Sequence, residues 1–191
     1  RMPWALSLFV CFVLHATTSG QTSDIVINEF LAANRAANKD LDFAEFSDWI
    51  ELRNNTDGDV DLSGYYVTDD LDEPLKWQIP TGTLIPGAGY LLLWADGQDV
   101  GFHTSFKLNR AGEQLGLHTP DGLLVDALTF GAQQGDMSYG RLGNGGTRWA
   151  FFDPPTPGTA NDYRASVDVT AQPVFSITGG FYQGRQVLRF L

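Results

Sequence analysis

Short apolar segments alternate with turn-forming residues along most of the chain. Runs bounded by glycine, proline, asparagine or aspartate in this way are typical of β-strands, and no segment has the apolar spacing of an amphipathic helix. Because many short, half-buried strands need a second sheet to cover their apolar faces, the pattern predicts an antiparallel β-sandwich. The predicted strands are DIVINEFL (Asp24–Leu31), SDWIELRN, VDLSGYYVTDD, LKWQI, GYLLLWA, FKL, EQLGLH, LLVDALTF and RWAFF, and the predicted turns or loops include AANRAANKDLDFAE, NTDG, IPTGT, IPGAG, TPDG and GNGG.

Composition agrees with an all-β domain that has a substantial core. The 191 residues leave room for one ordinary domain and some additional segments, and 43% of them are hydrophobic. The 21 glycines and 9 prolines fit frequent turns. A formal net charge of -11, with lysine and arginine scattered singly, disfavours binding to nucleic acid or to anionic lipid.

The N-terminus has the pattern of a secretory signal. Residues 2–20, MPWALSLFVCFVLHATTSG, are apolar for about a dozen positions and then become small and polar, which predicts cleavage before Gln21. The apolar run is too short to span a bilayer, so we expect no membrane span after signal removal. Cys11 is the only cysteine, and a mature chain without it has no disulfide, thiolate metal site or cysteine nucleophile.

The sequence predicts four consecutive parts: a signal peptide (1–20), a β-sandwich domain (21–162), a linker (163–172) and the truncated start of a second β-module (173–191). The segment DPPTPGTAND closes the sandwich domain, because its three prolines prevent continued strand pairing. The last part begins a new strand pattern and then stops, so we expect the chain to be the front of a longer protein.

Seven motifs in series resemble one known family. They are IVINEF, SDWIELRNNT, DVDLSGYYVTDD, WQIPTGTLIPGAGYLLLWAD, FKLNRAGEQLGLHTPDGLLVDALTFG, SYGRLGNGGTRWAFF and PTPGTAN. Together they resemble the lamin tail domain over Asp24–Asn161. The resemblance implies an immunoglobulin-like β-sandwich without catalytic residues, of the kind that bacterial exported proteins carry as an accessory module. The tail segment PVFSITGGFYQGRQVLRF resembles the start of the small β-module at the C-terminus of chitobiase and hexosaminidase enzymes.

Two acidic stretches are candidate calcium sites. Asn55, Asp57, Asp59 and Asp61 alternate like the ligands of a calcium loop, but the required glycine and closing glutamate are absent, and NTDG fits a hairpin turn with Gly58 at positive φ. The second stretch packs four carboxylates into five positions, where like charges repel unless water or a cation neutralises them. We therefore consider Ca²⁺ at this second stretch as a hypothesis, with solvation by bulk water as the alternative. Its four residues are Asp69, Asp70, Asp72 and Glu73.

A catalytic site is the competing hypothesis. Glu29 and Glu51 lie on strands that could be neighbours, and a carboxylate pair in a cleft is the arrangement that glycoside hydrolysis needs. We expect Glu51 instead to be exposed or paired with an arginine. His103 and His118 lack the spacing of a helical zinc site and are expected to be surface or loop residues.

The tryptophans divide into core residues and one candidate ligand site. Trp49, Trp94 and Trp149 sit among strand aliphatics and are assigned to the core. Trp77 lies in the more polar segment LKWQIP and is the one tryptophan that we consider as a ligand-binding residue.

These observations predict a non-catalytic, secreted or cell-surface module that binds a protein, polysaccharide or cell-surface partner, or spaces a downstream domain. One alternative is a calcium-binding adhesion module that uses the carboxylates of Asp69–Glu73. Another is an accessory domain of a secreted hydrolase, nuclease or spore-coat-kinase-like protein whose catalytic part lies beyond residue 191.

Overall fold

The computed structural model describes residues 23–162 and, for the backbone alone, residues 166–167. Among these residues all regular structure is β-strand, and none forms a helix that is long and apolar enough to cross a membrane. The strands are β1 (Ile25–Leu31), β2 (Asp48–Asn54), β3 (Val60–Asp61), β4 (Tyr66–Thr68), β5 (Trp77–Gln78), β6 (Leu84–Ile85), β7 (Tyr90–Ala95), β8 (Glu113–His118), β9 (Leu124–Phe130), β10 (Ser138–Arg141), β11 (Trp149–Phe152) and β12 (Ser166–Val167).

The strands form antiparallel sheets, and the predicted all-β, immunoglobulin-like sandwich is confirmed. One sheet has six strands in the order β12-β11-β10-β1-β2-β7, and a second has four in the order β5-β4-β8-β9. The short strands β3 and β6 form a separate pair. Strands adjacent in the chain often lie in different sheets, and these crossings place the loops at the two ends of the sandwich.

The hydrophobic core lies between the two larger sheets. Ile50 and Leu52 of β2 enter it from the six-stranded sheet, and Val67, Leu115 and Leu117 enter it from the four-stranded sheet. All five side chains are fully buried. Burial of a side chain of this size contributes about 1.5–3 kcal/mol, so this shared core holds the two sheets together.

β10 was not predicted as a strand, yet it lies inside the six-stranded sheet between β1 and β11. Its sequence, SYGR, has no apolar alternation that would signal burial. Ser138 and Arg141 are nevertheless buried, because other parts of the chain supply partners for their polar atoms. The segment FKL was predicted as a strand but does not form one; its Lys107 makes only an isolated bridge to Asp96.

The segment NTDG is not the hairpin turn that we predicted. It connects β2 to β3, which lie in different sheets, and Gly58 does not have a positive φ. The partner of β3 is β6, a two-residue strand that was not predicted; its Ile85 belongs to the predicted turn IPGAG. Two residues are too few to show an alternating pattern.

Arg141 and Asp126 connect the two sheets at an irregularity in β1. The pairing of β1 with β2 shifts register between Ile27 and Glu29, and the shift leaves backbone groups of Ile27 for other partners. Asp126 of β9 accepts the Ile27 N–H at 2.8 Å, and Arg141 donates to the Ile27 carbonyl at 2.9 Å. Arg141 also holds both oxygens of Asp126 at 2.9 Å, so one ion pair completes the hydrogen bonding of the bulge.

Parts of the predicted organisation lie outside the described residues. These are the signal peptide at 1–20 with Cys11, the tail at 173–191 and most of the linker at 163–172. Within the linker range, Ser166–Val167 form β12, which pairs with β11 through Phe151 and Phe152. The proposed domain boundaries therefore stay predictions.

We predict that Asp126→Ala lowers the free energy of unfolding by about 3–5 kcal/mol, because it leaves the buried Arg141 guanidinium without its counter-charge and the Ile27 N–H without an acceptor. Urea unfolding of the full chain measures the change. Asp57→Ala, at an exposed position in a loop, is the matched control and should change stability by less than about 0.5 kcal/mol. Equal effects of the two substitutions would contradict the role given to this ion pair.

Candidate functional site

Glu29 and Glu51 are cross-strand partners on β1 and β2, and neither side chain is accessible to solvent. The prediction that Glu51 is exposed or paired with arginine is therefore wrong. Neighbouring residues Ile50 and Leu52 point into the main core, so Glu51 points to the opposite face of the sheet. On that face, residues 153–161 cover the two glutamates, and we call these residues the closing segment.

Glu29 is held by β10 and by the closing segment. Its Oε1 accepts hydrogen bonds from the Ser138 hydroxyl and from the Thr156 N–H, the latter at 2.9 Å. Its Oε2 accepts from the Thr156 hydroxyl at 2.7 Å. Thr156 of the segment PTPGTAN thus supplies hydrogen-bond donors to the Glu29 carboxylate, in addition to the donor that the neighbouring strand β10 supplies.

Glu51 is held by two amide groups. Its Oε1 accepts from the side chain of Asn28 at 2.9 Å, and its Oε2 accepts from the N–H of Gly158 at 2.5 Å. Asn161 then joins the two ends of this network, because its side chain bonds Asn28 and donates to the Arg141 carbonyl at 2.9 Å. All four carboxylate oxygens of the pair therefore accept hydrogen bonds from the chain itself.

Burial controls the protonation of this pair. Removal from water raises the pKa of Glu29, although its hydrogen bonds to Ser138 and Thr156 act in the opposite direction. Burial likewise raises the pKa of Glu51 to about 7, and the charge of Glu29 adds to the increase. Such values occur in catalytic acids, but these oxygens are occupied by the chain's own donors, so the geometry gives the pair a structural role.

A second cluster lies at one end of the sandwich, which we call the loop end: residues 32–47 between β1 and β2 together with residues 96–106 after β7. Here Asp40, Asp96 and His103 are all buried, and each offers one ligand atom within 4.8 Å of those of the other two. In the part of the chain that the structure describes, this is the one group of three or more such residues.

His103 lies in a loop, which is one of the two predicted settings, but it is buried among carboxylates and not at the surface. Its Nδ1 lies 2.7 Å from Asp96 Oδ2, and its Nε2 lies 3.4 Å from Asp42 Oδ2. Burial alone would lower the pKa of His103, but the hydrogen bonds to Asp96 and Asp42 and the charges of Asp96 and Asp40 outweigh it and raise the pKa. The ring of Phe43 contacts the imidazole edge-on, with centroids 4.8 Å apart.

His118 is a buried residue at the end of strand β8, so the prediction of a surface or loop residue is wrong for it. Burial lowers its pKa. His118 pairs in register with Tyr66 of β4, and its imidazole ring lies beside Gly116. The two histidines and the glutamate pair therefore occupy three separate places. The structure does not bring them into one catalytic pocket.

A cavity of about 260 Å³ opens beside Asp96 at the loop end. Burial raises the pKa of Asp48 in its wall to about 6, against the opposing effects of a hydrogen bond from Asn34 and the charge of Lys107. The cavity is lined by Asn34, Glu45, Phe46, Ser47, Asp48, Ala95, Asp96, Lys107 and Leu108. Its polar lining is continuous with the Asp40–Asp96–His103 cluster through Asp96.

The four carboxylates considered for calcium lie in the loop after β4. Lys76 Nζ is 2.7 Å from Asp69 and 3.6 Å from Glu73, so a lysine supplies positive charge to this stretch. Asp70 Oδ1 accepts the N–H of Asp72 at 3.0 Å, which stabilises the turn. Asn55, Asp59 and Asp61 likewise bond nearby backbone groups.

Trp77 lies in the hydrophobic core with only 5% of its surface exposed, so its ring is not available as a surface platform. Gln78, the next residue of β5, is exposed on the opposite face of the strand, and Lys76 directly precedes the strand. Trp49 is fully buried as predicted, whereas Trp94 and Trp149 are half-buried.

Asp40 and Asp96 were not identified from the sequence as site residues. They are 56 positions apart and each lies in a loop, so no local spacing connects them. The sequence analysis predicted no pairing between the first strand, which precedes the loop of Asp40, and GYLLLWA, which precedes Asp96, so no signal connected the two residues.

We predict that stability falls as the pH rises from about 4.5 to about 7. Between these values the folded chain binds more protons than the unfolded chain, because the pKa of Glu51 rises from 4.5 to about 7 on folding. The contribution of Glu51 is at most about 3 kcal/mol at 1.36 kcal/mol per pKa unit. Asp48, whose pKa is raised from 3.8 to about 6, adds to the fall in the lower part of this range. His103, whose pKa is raised above 6.5, continues the fall above pH 6.5.

Urea unfolding at pH 5, 6, 7 and 8 measures this dependence in the native chain, in Glu51→Gln and in the exposed control Glu45→Gln. The slope should be smaller in Glu51→Gln and unchanged in the control. Equal slopes in all three chains would show that Glu51 does not titrate in this range.

Comparisons with known proteins agree with the architecture. The family model of the Lamin Tail Domain matches residues 18–132, which is more than half of the chain. The match ends before β10 and β11, which belong to the six-stranded sheet, and before the closing segment. Neither the search of curated proteins nor that of solved structures found a significant match, so no resemblance to a chitobiase module is supported. The chain belongs to the lamin tail domain family, whose members are non-catalytic, immunoglobulin-like domains.

Proposed function

We propose that this chain contains a non-catalytic binding module that contacts a partner protein through its loop end. The observation that carries the proposal is the distribution of exposed apolar side chains. Residues 23–162 contain nine large hydrophobic side chains that are exposed, and five of them lie in the two loops of the loop end, 32–47 and 96–106. These five are Leu41, Phe43, Phe46, Val100 and Phe102.

Concentration of apolar surface on loops is typical of a binding site. Leu41 is 85% exposed, and an apolar side chain so accessible contributes nothing to the stability of the isolated domain. The ring of Phe43 contacts His103, so the two loops that carry these apolar side chains touch each other.

The chemistry of this surface favours a protein over a polysaccharide as the partner. Its members are phenylalanine, leucine and valine, which carry no hydrogen-bonding group for sugar hydroxyls. Around them lie the exposed carboxylates of Asp42, Glu45 and Asp99. A complementary partner has an apolar centre and a basic rim.

The wider setting that we propose is an exported protein with further domains. Support comes from the signal-like residues 2–20 and from the strand pattern that restarts after residue 172. In such a protein the module positions the remaining domains by holding the partner.

A photo-crosslinking experiment tests the proposal. Benzoylphenylalanine replaces Phe102 in the full chain, or Leu123 as the control, because Leu123 is exposed in the β8–β9 turn at the opposite end of the sandwich. The chains are added to the surface of the producing cells and irradiated. We expect one protein of discrete mass to be crosslinked from position 102 and not from position 123.

Competition makes the result specific. Excess unlabelled chain should suppress the crosslink, whereas the variant with Phe43→Ser and Phe102→Ser should suppress it at least about tenfold less effectively. A spacer without a partner gives no discrete product, and a nonspecific contact gives the same products from both positions. Either result would contradict a binding role for the loop end.

A further inference from the structure

We propose that Asp40, Asp96 and His103 form a binding site for one divalent transition-metal ion of the zinc type. This proposal does not rest on the partner protein, because its three ligands lie in the interior of the loop end.

The geometry of the three residues is that of a ligand set. One oxygen of each aspartate and one nitrogen of the histidine lie within 4.8 Å of one another. Ligands at about 2.0–2.2 Å from a common centre are separated by roughly 3–4 Å, so only a small contraction brings all three onto one ion. All three side chains are buried, so the protein fixes their positions before an ion arrives.

An unpartnered oxygen points to a ligand that the protein does not supply. Asp40 is fully buried, and its Oδ1 accepts the N–H of Asp42 at 2.8 Å. Its Oδ2 is also buried and has no hydrogen-bond partner. Leaving a carboxylate oxygen unsatisfied in the interior is costly, and a bound cation removes that cost.

The excess of negative charge around His103 also favours a bound cation. Asp40, Asp42 and Asp96 surround a single histidine. A protonated imidazole supplies one positive charge for these three carboxylates, and its Nε2 reaches Asp42 only at 3.4 Å. A divalent ion balances two carboxylates directly. Asp42 is 78% exposed at its side chain and so has the freedom to turn inward as a further ligand.

The donor atoms decide which class of ion fits. Calcium and magnesium prefer sites made of oxygen alone, whereas a set of one imidazole and two or three carboxylates suits zinc and its neighbours. Asp96 joins this cluster to the 260 Å³ cavity, which gives an ion and a coordinated water molecule a path from solvent. The structural consequence is that the ion ties the loop at 32–47 to the loop at 96–106.

Zinc titration of the full, untagged chain tests the site after treatment with a chelator and its removal. Isothermal titration calorimetry should give one equivalent of Zn²⁺. At free zinc about 100-fold above the Kd, the melting temperature should rise by about 5–10 °C, and Ca²⁺ at the same concentration should leave it unchanged.

Variants locate the bound ion. Asp40→Asn and His103→Gln should weaken zinc binding by more than about tenfold and abolish the rise in melting temperature. His118→Gln is the matched control, because it removes the other buried histidine of the described residues at the far end of β8, and it should bind zinc like the native chain. Zinc binding that is equal in all variants, or absent from the native chain, would overturn the proposal.

X-ray absorption at the zinc edge gives a result that does not depend on the folding of any variant. The native chain and His118→Gln should both show nitrogen and oxygen ligands at about 2.0–2.2 Å with scattering from one imidazole ring. A spectrum without imidazole scattering, or a response to Ca²⁺ equal to that to Zn²⁺, would contradict a zinc-type site.

Discussion

The fold depends on the burial of two neighbouring carboxylates. Glu29 and Glu51 occupy adjacent strands on the same face of the six-stranded sheet, where neither contacts water. Burying two like charges side by side is unfavourable unless donors surround them and their pKa values rise. Residues 153–161 provide most of these donors, so a segment remote in sequence determines whether the centre of the sheet is stable.

This requirement explains several features that are otherwise unrelated. The register shift in β1 brings Asn28 next to Glu51, while Arg141 and Asp126 satisfy the backbone that the shift frees. Gly140 on β10 leaves the space that Asn161 occupies. The family match ends at residue 132, but the hydrogen-bonded network of this domain extends to Asn161.

The sequence predicted what depends on apolar periodicity. Segments such as IVINEFL and EQLGLH alternate or cluster apolar residues, so their strands and the sandwich that buries them follow from the pattern. It did not predict β10, Glu51 or His103, because each is polar and is buried partly by residues distant in sequence. These distant partners are Glu29 for Ser138 of β10, Gly158 for Glu51 and Asp42 for His103. The residues of the loop end are more difficult to predict, because loops lack the apolar periodicity from which strands are identified.

The most direct test of whether the closing segment stabilises the buried Glu29–Glu51 pair compares the thermal stability of two variants, Gly140→Ala and Gly58→Ala. A Cβ at Gly140 would lie 2.7 Å from Asn161 Nδ2 and 3.0 Å from Glu29 Cγ, whereas a Cβ at Gly58 meets nothing within 4 Å. If the closing segment must seal the glutamate pair, Gly140→Ala lowers stability by about 1–3 kcal/mol and speeds hydrogen exchange at the Gly158 amide. Gly58→Ala leaves both unchanged. Equal stability and equal Gly158 protection in the two variants would contradict the account.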